Sequence, residues 1–163
     1  MNDTNSKNLL DNPLVDNLIA LALKEDGIDD DLTTLATRFQ NNRAKNIRAT
    51  IVAKKETIAA GYPLVEKIVH TAKCETTVRC SSLSTEGGVL SNKNAPWIIL
   101  EGSAFDILRL ERTILNFLMR MCGIAMHTRK VVTTLEGTDC KLLHTRKTAP
   151  GHRFTDIYAT LIG

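Results

Sequence analysis

The spacing of apolar residues predicts three strands in the first hundred residues. Residues 47–54 alternate between apolar and polar side chains, a period of two that is typical of a half-buried strand. Two shorter strands are expected at residues 76–80 and 97–101, separated by a turn-rich stretch that contains Gly87, Gly88 and Pro96. This pattern predicts a small α+β layer in which helices pack on a mainly antiparallel sheet.

Helical spacing predicts two helices around these strands. The first begins at Pro13, which suits the first turn of a helix, and the second covers residues 64–73. The expected apolar face of the first helix consists of Leu14, Leu18, Leu21 and Ala22, widened by Val15 and Ile19.

A long helix is predicted from Ser103, with a second helix at about residues 128–136 and a short buried strand at 141–144. At 100° per residue, Arg112 falls on a polar face that it shares with Arg109, Asn116 and Arg120. One apolar stripe of the long helix consists of Ile107, Leu110, Ile114, Leu118, Met121 and Ala125.

Composition narrows the class of protein. The 163 residues carry a net charge of +3 and only 4% aromatic residues, which argues against nucleic-acid binding. No apolar run reaches the roughly 20 residues that a bilayer requires, and the N-terminus is polar and rich in Asn. The four cysteines lack paired zinc-site spacing, and we expect reduced thiols in a cytoplasmic protein.

The strongest chemical signal follows the predicted strand at 141–144. Thr145, Arg146 and Lys147 lead into a Pro-Gly turn. Arg can hold a carboxylate or a phosphate with two parallel hydrogen bonds, while Lys acts as a mobile point charge. A cationic pair at a strand end is typical of a site for a small polyanion, although a solvated surface loop has the same composition.

Other charged residues have weaker signals. Glu111 lies at the margin of the apolar stripe, so it either needs a buried partner or extends to solvent, and we favour the second interpretation. The acidic residues 26–31 lack the ligand spacing of an EF-hand and are expected to form a solvated loop. His144 and His152 flank the basic segment and could titrate near neutrality, but a structural role is the better interpretation.

Taken together, these segments resemble one enzyme family. The chain is similar to the nicotinate-nucleotide pyrophosphorylases (carboxylating), also called quinolinate phosphoribosyltransferases, from about residue 14 to residue 163. The segments that carry the resemblance lie at residues 22–26, 31–34, 49–54, 60–63, 110–118, 123–125, 145–153 and 158–159.

The resemblance implies an α/β fold built as an α+β N-terminal sandwich domain followed by the start of an α/β barrel. On this basis we expect a flexible tail at residues 1–12, the sandwich domain at 13–110 and the first part of the barrel domain at 111–163. Only about the first barrel strand is present, so we expect the barrel to be incomplete and the chain alone to be inactive. The family also implies a homodimer whose subunits pair head to tail and share their active sites.

The reaction that the resemblance implies is the conversion of quinolinate and phosphoribosyl pyrophosphate to nicotinate mononucleotide, pyrophosphate and carbon dioxide in NAD biosynthesis. Arg112, Thr145, Arg146 and Lys147 match substrate-binding positions of the family, with Arg112 reaching the neighbouring subunit's substrate. Lys147 is the expected catalytic residue, towards the phosphoribosyl donor. The family uses Mg²⁺ with this donor, and its ligands are expected outside this chain.

The sequence departs from the family pattern at His144, Cys122 and Ile157, where an acidic residue, a serine and a lysine are usual, and at Asp30, where a glycine is common. Two alternatives stay open. One is a related pyrophosphorylase-like protein for another aromatic acid. The other is an inactive binding or dimerisation remnant, which is considered because the chain ends at Gly163.

Overall fold

The computed structural model describes residues 9–28, 46–81, 85–91, 94 and 96–163. Helices and strands are interspersed up to Ser103, and the regular elements after it are both helices. In chain order they are α1 (Pro13–Glu25), β1 (Asn46–Val52), β2 (Thr57–Ile58), α2 (Tyr62–Thr71), β3 (Thr77–Cys80), β4 (Val89–Leu90), β5 (Pro96–Ser103), α3 (Ala104–Thr134) and α4 (Arg153–Ile162).

The predicted antiparallel sheet is confirmed. Strands lie in the order β1-β5-β3, with β5 paired antiparallel to both neighbours, and Leu100 faces Ala49 on one side and Val78 on the other. A separate antiparallel pair joins β2 to β4, with Ile58 opposite Val89. The central strand is the most deeply buried of the three, with Trp97, Ile98 and Leu100 in the core.

Helix α1 begins where the sequence predicts, and it buries only part of the predicted face. The Asn12 side chain accepts a hydrogen bond from the Leu14 amide at 3.0 Å, and Pro13 occupies the first turn. The buried residues are Val15, Ile19 and Leu23, whereas Leu14 and Leu21 are exposed. The prediction included Val15 and Ile19 but centred the face towards Leu14 and Leu21, because both stripes of this helix are apolar and periodicity cannot decide which one meets the core. Leu10, in the predicted tail, is also buried, while residues 1–8 lie outside the described residues.

Helix α3 is the longest described helix, with 31 residues and a length of about 46 Å. Its predicted apolar stripe is confirmed from Ile107 to Ala125. The predicted break before a second helix at 128–136 is wrong, since the helix runs on to Thr134. Gly123 lowers the intrinsic stability of the helix, and no atom lies within 4 Å of where its Cβ would be. Ala125 and Thr128 are buried after it, and their packing offsets that loss of stability.

The predicted strand at 141–144 does not form. Residues 139–147 are exposed and without regular secondary structure. No strand in the described part of the chain pairs with them, and an isolated strand leaves its backbone hydrogen-bonding groups without partners. The described residues therefore contain open sheets and no closed barrel.

Glu86 joins the small sheets to the helices. Its carboxylate accepts hydrogen bonds from the Gly61 amide at 2.5 Å, the Tyr62 amide at 3.2 Å and the Tyr158 hydroxyl at 2.9 Å. These donors lie at the start of α2 and on α4, so one carboxylate links both elements. Burial raises the pKa of Glu86, and the three hydrogen bonds oppose that rise.

None of the described helices combines the length and the apolar composition that a membrane span needs. The four cysteines form no disulfide with one another; Cys122 is buried and Cys140 is exposed. Burial raises the pKa of Cys122 to about 11, so this thiol stays protonated at neutral pH.

Candidate functional site

Arg112 extends from the polar face of α3 and is held by an ion pair. Its Nη1 lies 2.6 Å from Oδ1 of Asp26, the residue that follows α1. The Thr113 hydroxyl donates to the other carboxylate oxygen of Asp26 at 3.3 Å. The Arg112 side chain is 68% exposed and that of Asp26 is 15% exposed. Asp26 therefore orients a guanidinium that a ligand can still reach from solvent.

Arg112 borders a groove of about 590 Å³ between α1 and α3. Asn116 and Arg120 follow it at four-residue intervals, so the α3 side of the groove is one polar stripe of that helix. The α1 side contributes Leu18, Leu21, Ala22 and Glu25, and Phe117 and His152 close the end. Glu25 and Asp26 also line the groove and equal the two guanidinium groups in number, so the lining carries no formal net charge.

Arg120 forms a bidentate ion pair at the far end of this groove. Its Nε and Nη2 each lie 2.8 Å from one carboxylate oxygen of Asp156 on α4. The hydrogen bonds to Asp156 raise the pKa of Arg120, so it is a permanent cation. Asp156 is only 7% exposed, and it also accepts a hydrogen bond from the Ala149 amide at 3.4 Å. The pair therefore joins α3, α4 and the turn before α4.

His152 lies beside this ion pair. Its ring centroid is 5.9 Å from that of Phe117, and its Nδ1 is buried without a hydrogen-bond partner among the described residues. Burial lowers the pKa of His152, the charge of Arg120 lowers it further, and Asp156 acts in the opposite direction. The pKa of His152 is therefore lower than the sequence suggests, and this partly buried imidazole is neutral at pH 7.

Thr145, Arg146 and Lys147 form a basic segment, residues 145–147, which does not line the groove. All three are exposed, and the Lys147 amide donates to the Thr145 hydroxyl at 3.2 Å. The turn that follows, residues 148–151, borders a second groove against Leu14, Leu18 and Leu21 of α1. This second groove shares Leu18 and Leu21 with the groove beside Arg112, so the two grooves adjoin each other.

The described residues do not offer a metal site. No three His, Cys, Asp or Glu side chains gather within the ranges that the structure describes. Glu111 is exposed, as we favoured, and Asp26 is occupied by Arg112. The other acidic residues of the run, 29–31, lie outside the described residues. Nothing in the described donor set fits Mg²⁺, which prefers several carboxylate and water oxygens.

The sequence did not single out Arg120 and Asp156 as a pair. The spacing of Arg112, Asn116 and Arg120 placed all three on one face of α3 and was the available signal. Asp156 lies in the first turn of α4, where an acidic residue is common for the helix dipole alone. Its pairing across 36 residues could not be read from a single sequence.

Two family models cover most of the chain. The N-terminal domain of quinolinate phosphoribosyl transferase matches residues 31–122, and its C-terminal domain matches residues 124–163. These matches, with the antiparallel sheet, the long helix and the basic segment in order, define the class. The chain belongs to the quinolinate phosphoribosyltransferase family.

Among curated relatives, the chain is similar to the chloroplastic nicotinate-nucleotide pyrophosphorylase [carboxylating] of Oryza sativa subsp. japonica. The two are 35% identical over 147 residues, which is 90% of this chain and 38% of the rice protein. A probable nicotinate-nucleotide pyrophosphorylase [carboxylating] of Methanothermobacter thermautotrophicus is 32% identical over 136 residues, 82% of this chain and 46% of that protein. The chain thus spans less than half the length of these relatives.

Solved structures agree with this assignment. The nicotinate-nucleotide pyrophosphorylase of Francisella tularensis matches with a TM-score of 0.81 and 28% identity, over 93% of this chain and 52% of that one. The same enzyme of Ehrlichia chaffeensis matches with a TM-score of 0.78 and 32% identity, over 90% of this chain and 52% of that one. The likeness covers nearly all of this chain and about half of each structure.

Proposed function

We propose that the protein carrying this chain is a phosphoribosyltransferase of the pentosyltransferase class. It converts quinolinate and phosphoribosyl pyrophosphate to nicotinate mononucleotide, pyrophosphate and carbon dioxide in NAD biosynthesis. The observation that carries the proposal is the match of both family domains, in order, across residues 31–163. The names of the rice and archaeal relatives support it.

The cations of the chain suit this substrate. Quinolinate has carboxylates on two adjacent ring carbons, so it needs positive groups that approach from different directions. We assign Thr145 and Arg146 to quinolinate, with the Arg146 guanidinium as the main carboxylate ligand. We assign Lys147 to the donor side, where its point charge would stabilise the pyrophosphate that leaves.

The reaction then needs mainly orientation and electrostatics. The ring nitrogen forms a bond to the anomeric carbon as the bond from that carbon to pyrophosphate breaks, and pyrophosphate leaves with the electron pair. The ring nitrogen becomes cationic. When the neighbouring carboxylate leaves as carbon dioxide, the electron pair of the broken bond stays on the ring carbon, is stabilised by that cation, and takes up a proton.

We propose Mg²⁺ as the partner of the phosphoribosyl donor. When bound, it would neutralise charge on the pyrophosphate group. The described residues do not supply its ligands, so no step above is assigned to a metal held by this chain.

We further propose a homodimer in which Arg112 completes the neighbouring subunit's site. In support, residues 145–147 do not line the groove that Arg112 borders within one subunit. We also propose a cytoplasmic location, which the four cysteines without a disulfide support. Recovery of the native protein in an organelle fraction would contradict that location.

The first test replaces Arg146 in the full-length protein. Arg146→Ala should lower kcat/KM for quinolinate by more than roughly tenfold, because the substrate loses a charge-assisted, bidentate partner. Lys141→Ala is the matched control, since it removes another exposed cation six residues before Lys147. An unchanged kcat/KM for Arg146→Ala would contradict the assigned role.

The second test asks whether the site is shared. Arg112→Ala and Arg146→Ala are each expected to be nearly inactive as homodimers. In a mixed dimer, one of the two sites would have both arginines intact, so activity should return on mixing. If confirmed mixed dimers stay inactive, Arg112 and Arg146 do not come from different subunits.

Two outcomes would replace the proposal by its alternatives. Turnover of another aromatic acid, with quinolinate inert in the unaltered full-length enzyme, would indicate a related pyrophosphorylase. A native product with an intact mass of 18.0 kDa and no quinolinate-dependent activity would indicate a non-catalytic remnant.

A further inference from the structure

We propose that Asp156 is a positioning residue for the basic segment. Together with Arg120 it fixes the turn at residues 148–151 against α3, and so determines where Arg146 and Lys147 stand. This inference rests on the proposed function for its effect on turnover. It assigns a role to an ion pair that lies outside the substrate-binding residues.

The first argument is the number and origin of the groups that meet at Asp156. Its two carboxylate oxygens accept from Arg120 Nε and Nη2 at 2.8 Å each, and from the Ala149 amide at 3.4 Å. Asp156 is nearly buried, whereas residues 145–147 are exposed. The nearly buried carboxylate therefore links the long helix α3 to the backbone of the turn.

The second argument is that the Ala149 peptide groups are held on both sides. The Ala149 amide donates to Asp156, and its carbonyl accepts from the His152 amide at 3.1 Å. Pro150 fixes its own φ, and Gly151 adopts a φ of +81°, which other residues reach only with strain. The turn is thus closed by its own chemistry and anchored through Asp156.

The third argument is the short distance along the chain. Ala149 follows Lys147 by two residues, which limits their Cα separation to about 7 Å. The basic segment itself has one local hydrogen bond, from the Lys147 amide to the Thr145 hydroxyl. Its position is therefore restrained mainly from the Ala149 side. Loss of that anchor would let the two cations move while their charges stay in place.

The experiment compares Asp156→Asn with Asp106→Asn in the full-length enzyme. Asn keeps the size of the side chain but cannot accept from both guanidinium nitrogens, because its amide nitrogen is a donor. Asp106 is the matched control, since it forms a partly buried ion pair with Arg109 on the same helix, at 3.2 Å, away from the basic segment.

Two readouts separate positioning from general stability. Hydrogen exchange should accelerate by about tenfold or more in peptides covering residues 145–152, and stay unchanged in peptides from β5. The KM for quinolinate should rise by about tenfold while the same full-length protein keeps its thermal transition within a few degrees. Asp156→Glu, which restores the carboxylate, should recover part of both effects, and Asp106→Asn should show neither.

Several outcomes would overturn the proposal. Exchange that rises throughout the chain with KM unchanged would mean that the ion pair only stabilises the fold. Unchanged exchange at 145–152 would mean that Asp156 does not anchor the turn. If Asp156→Asn does not fold, Arg120→Lys serves instead, because it keeps the charge and loses the bidentate geometry.

The exchange readout also stands apart from the proposed function. If the unaltered enzyme shows no turnover of quinolinate, the proposed reaction fails. The exchange comparison then decides the anchoring on its own, and local acceleration at 145–152 would still support it.

Discussion

Arg112 and Arg146 are assigned the same kind of ligand, but the structure treats them differently. Arg112 lies on a helix of 31 residues and is paired with Asp26 at 2.6 Å. Arg146 lies in an exposed segment without regular secondary structure, and its neighbours are restrained through the backbone of a turn. The Arg112 guanidinium is oriented by its ion pair, whereas the position of Arg146 is restrained through the main chain of the turn that follows it.

The difference shows two ways of preparing a charged group for an anion. An ion pair on a helix fixes the guanidinium itself, so less side-chain freedom is lost when the ligand binds. An anchored turn fixes only the origin of the side chain and lets a long cation adapt. The proposed reaction combines a dicarboxylate with a separate donor that loses pyrophosphate, and the two arrangements would suit these two anions.

The largest expected effect tests whether the helical region and the exposed segment differ in stability. Leu118→Ala should lower the free energy of unfolding of the 163-residue chain by about 2–5 kcal/mol, because Leu118 is 3% exposed and packs in the core. Leu143→Ala should change it by less than about 0.5 kcal/mol, since Leu143 is 77% exposed. Urea unfolding measures both, and equal losses would mean that the exposed segment is packed as well.

The second effect sharpens the comparison between the two kinds of anchored cation. Arg120→Ala should lower the free energy of unfolding by about 1–3 kcal/mol, because Asp156 stays nearly buried without its charged partner. This loss of stability is smaller than for a fully buried ion pair because the Arg120 side chain is 37% exposed, and solvent screens its charge. Arg146→Ala is the matched control and should change stability by less than about 0.5 kcal/mol. A control that loses as much as Arg120→Ala would show that the basic segment is held by its side chains.

The smallest effect concerns pH. The folded pKa of His152 is lowered below 6.5, so the unfolded imidazole takes up a proton before the folded one does. The contribution of His152 to stability is therefore complete above pH 6.5 and falls as the pH drops below it. His152→Gln should reduce the loss of stability between about pH 7.5 and pH 5.5, measured by urea unfolding.

His144→Gln is the control for this pH dependence, because His144 is exposed. It should leave the difference in stability between the two pH values unchanged. If His152→Gln also leaves it unchanged, the imidazole is not protected from protonation by the fold.

The sequence predicted the elements better than their orientation. Alternation at residues 47–54 and the stripe from Ile107 to Ala125 located β1 and α3, because each has one clearly apolar face. The buried face of α1 was predicted only in part, since Leu14 and Leu18 are as apolar as Val15 and Ile19. Only the packing of α1 on the rest of the core decides between them.

The candidate site shows the same limit. Arg112 and the basic segment were found because their residues form motifs that are local in the chain. Their ion-pair partners are distant in the chain. Asp26 binds Arg112 across 86 residues, and Asp156, which also contacts the turn after the basic segment, binds Arg120 across 36 residues. A single sequence carries no signal for such a pairing, and an acidic residue at either position has ordinary explanations as a loop or helix-terminal residue. The strand at 141–144 failed because an apolar run does not reveal which strand, if any, lies beside it.

Helix α3 has a consequence for how this family divides into parts. The two family models meet between residues 122 and 124, in the middle of this one helix. A cut there would separate Met121 from Ala125, two fully buried residues of one continuous stripe, and would open apolar surface on both pieces. Unfolding of either part would withdraw support from the other. The part of this chain that packs together along α3 is therefore larger than either matched segment.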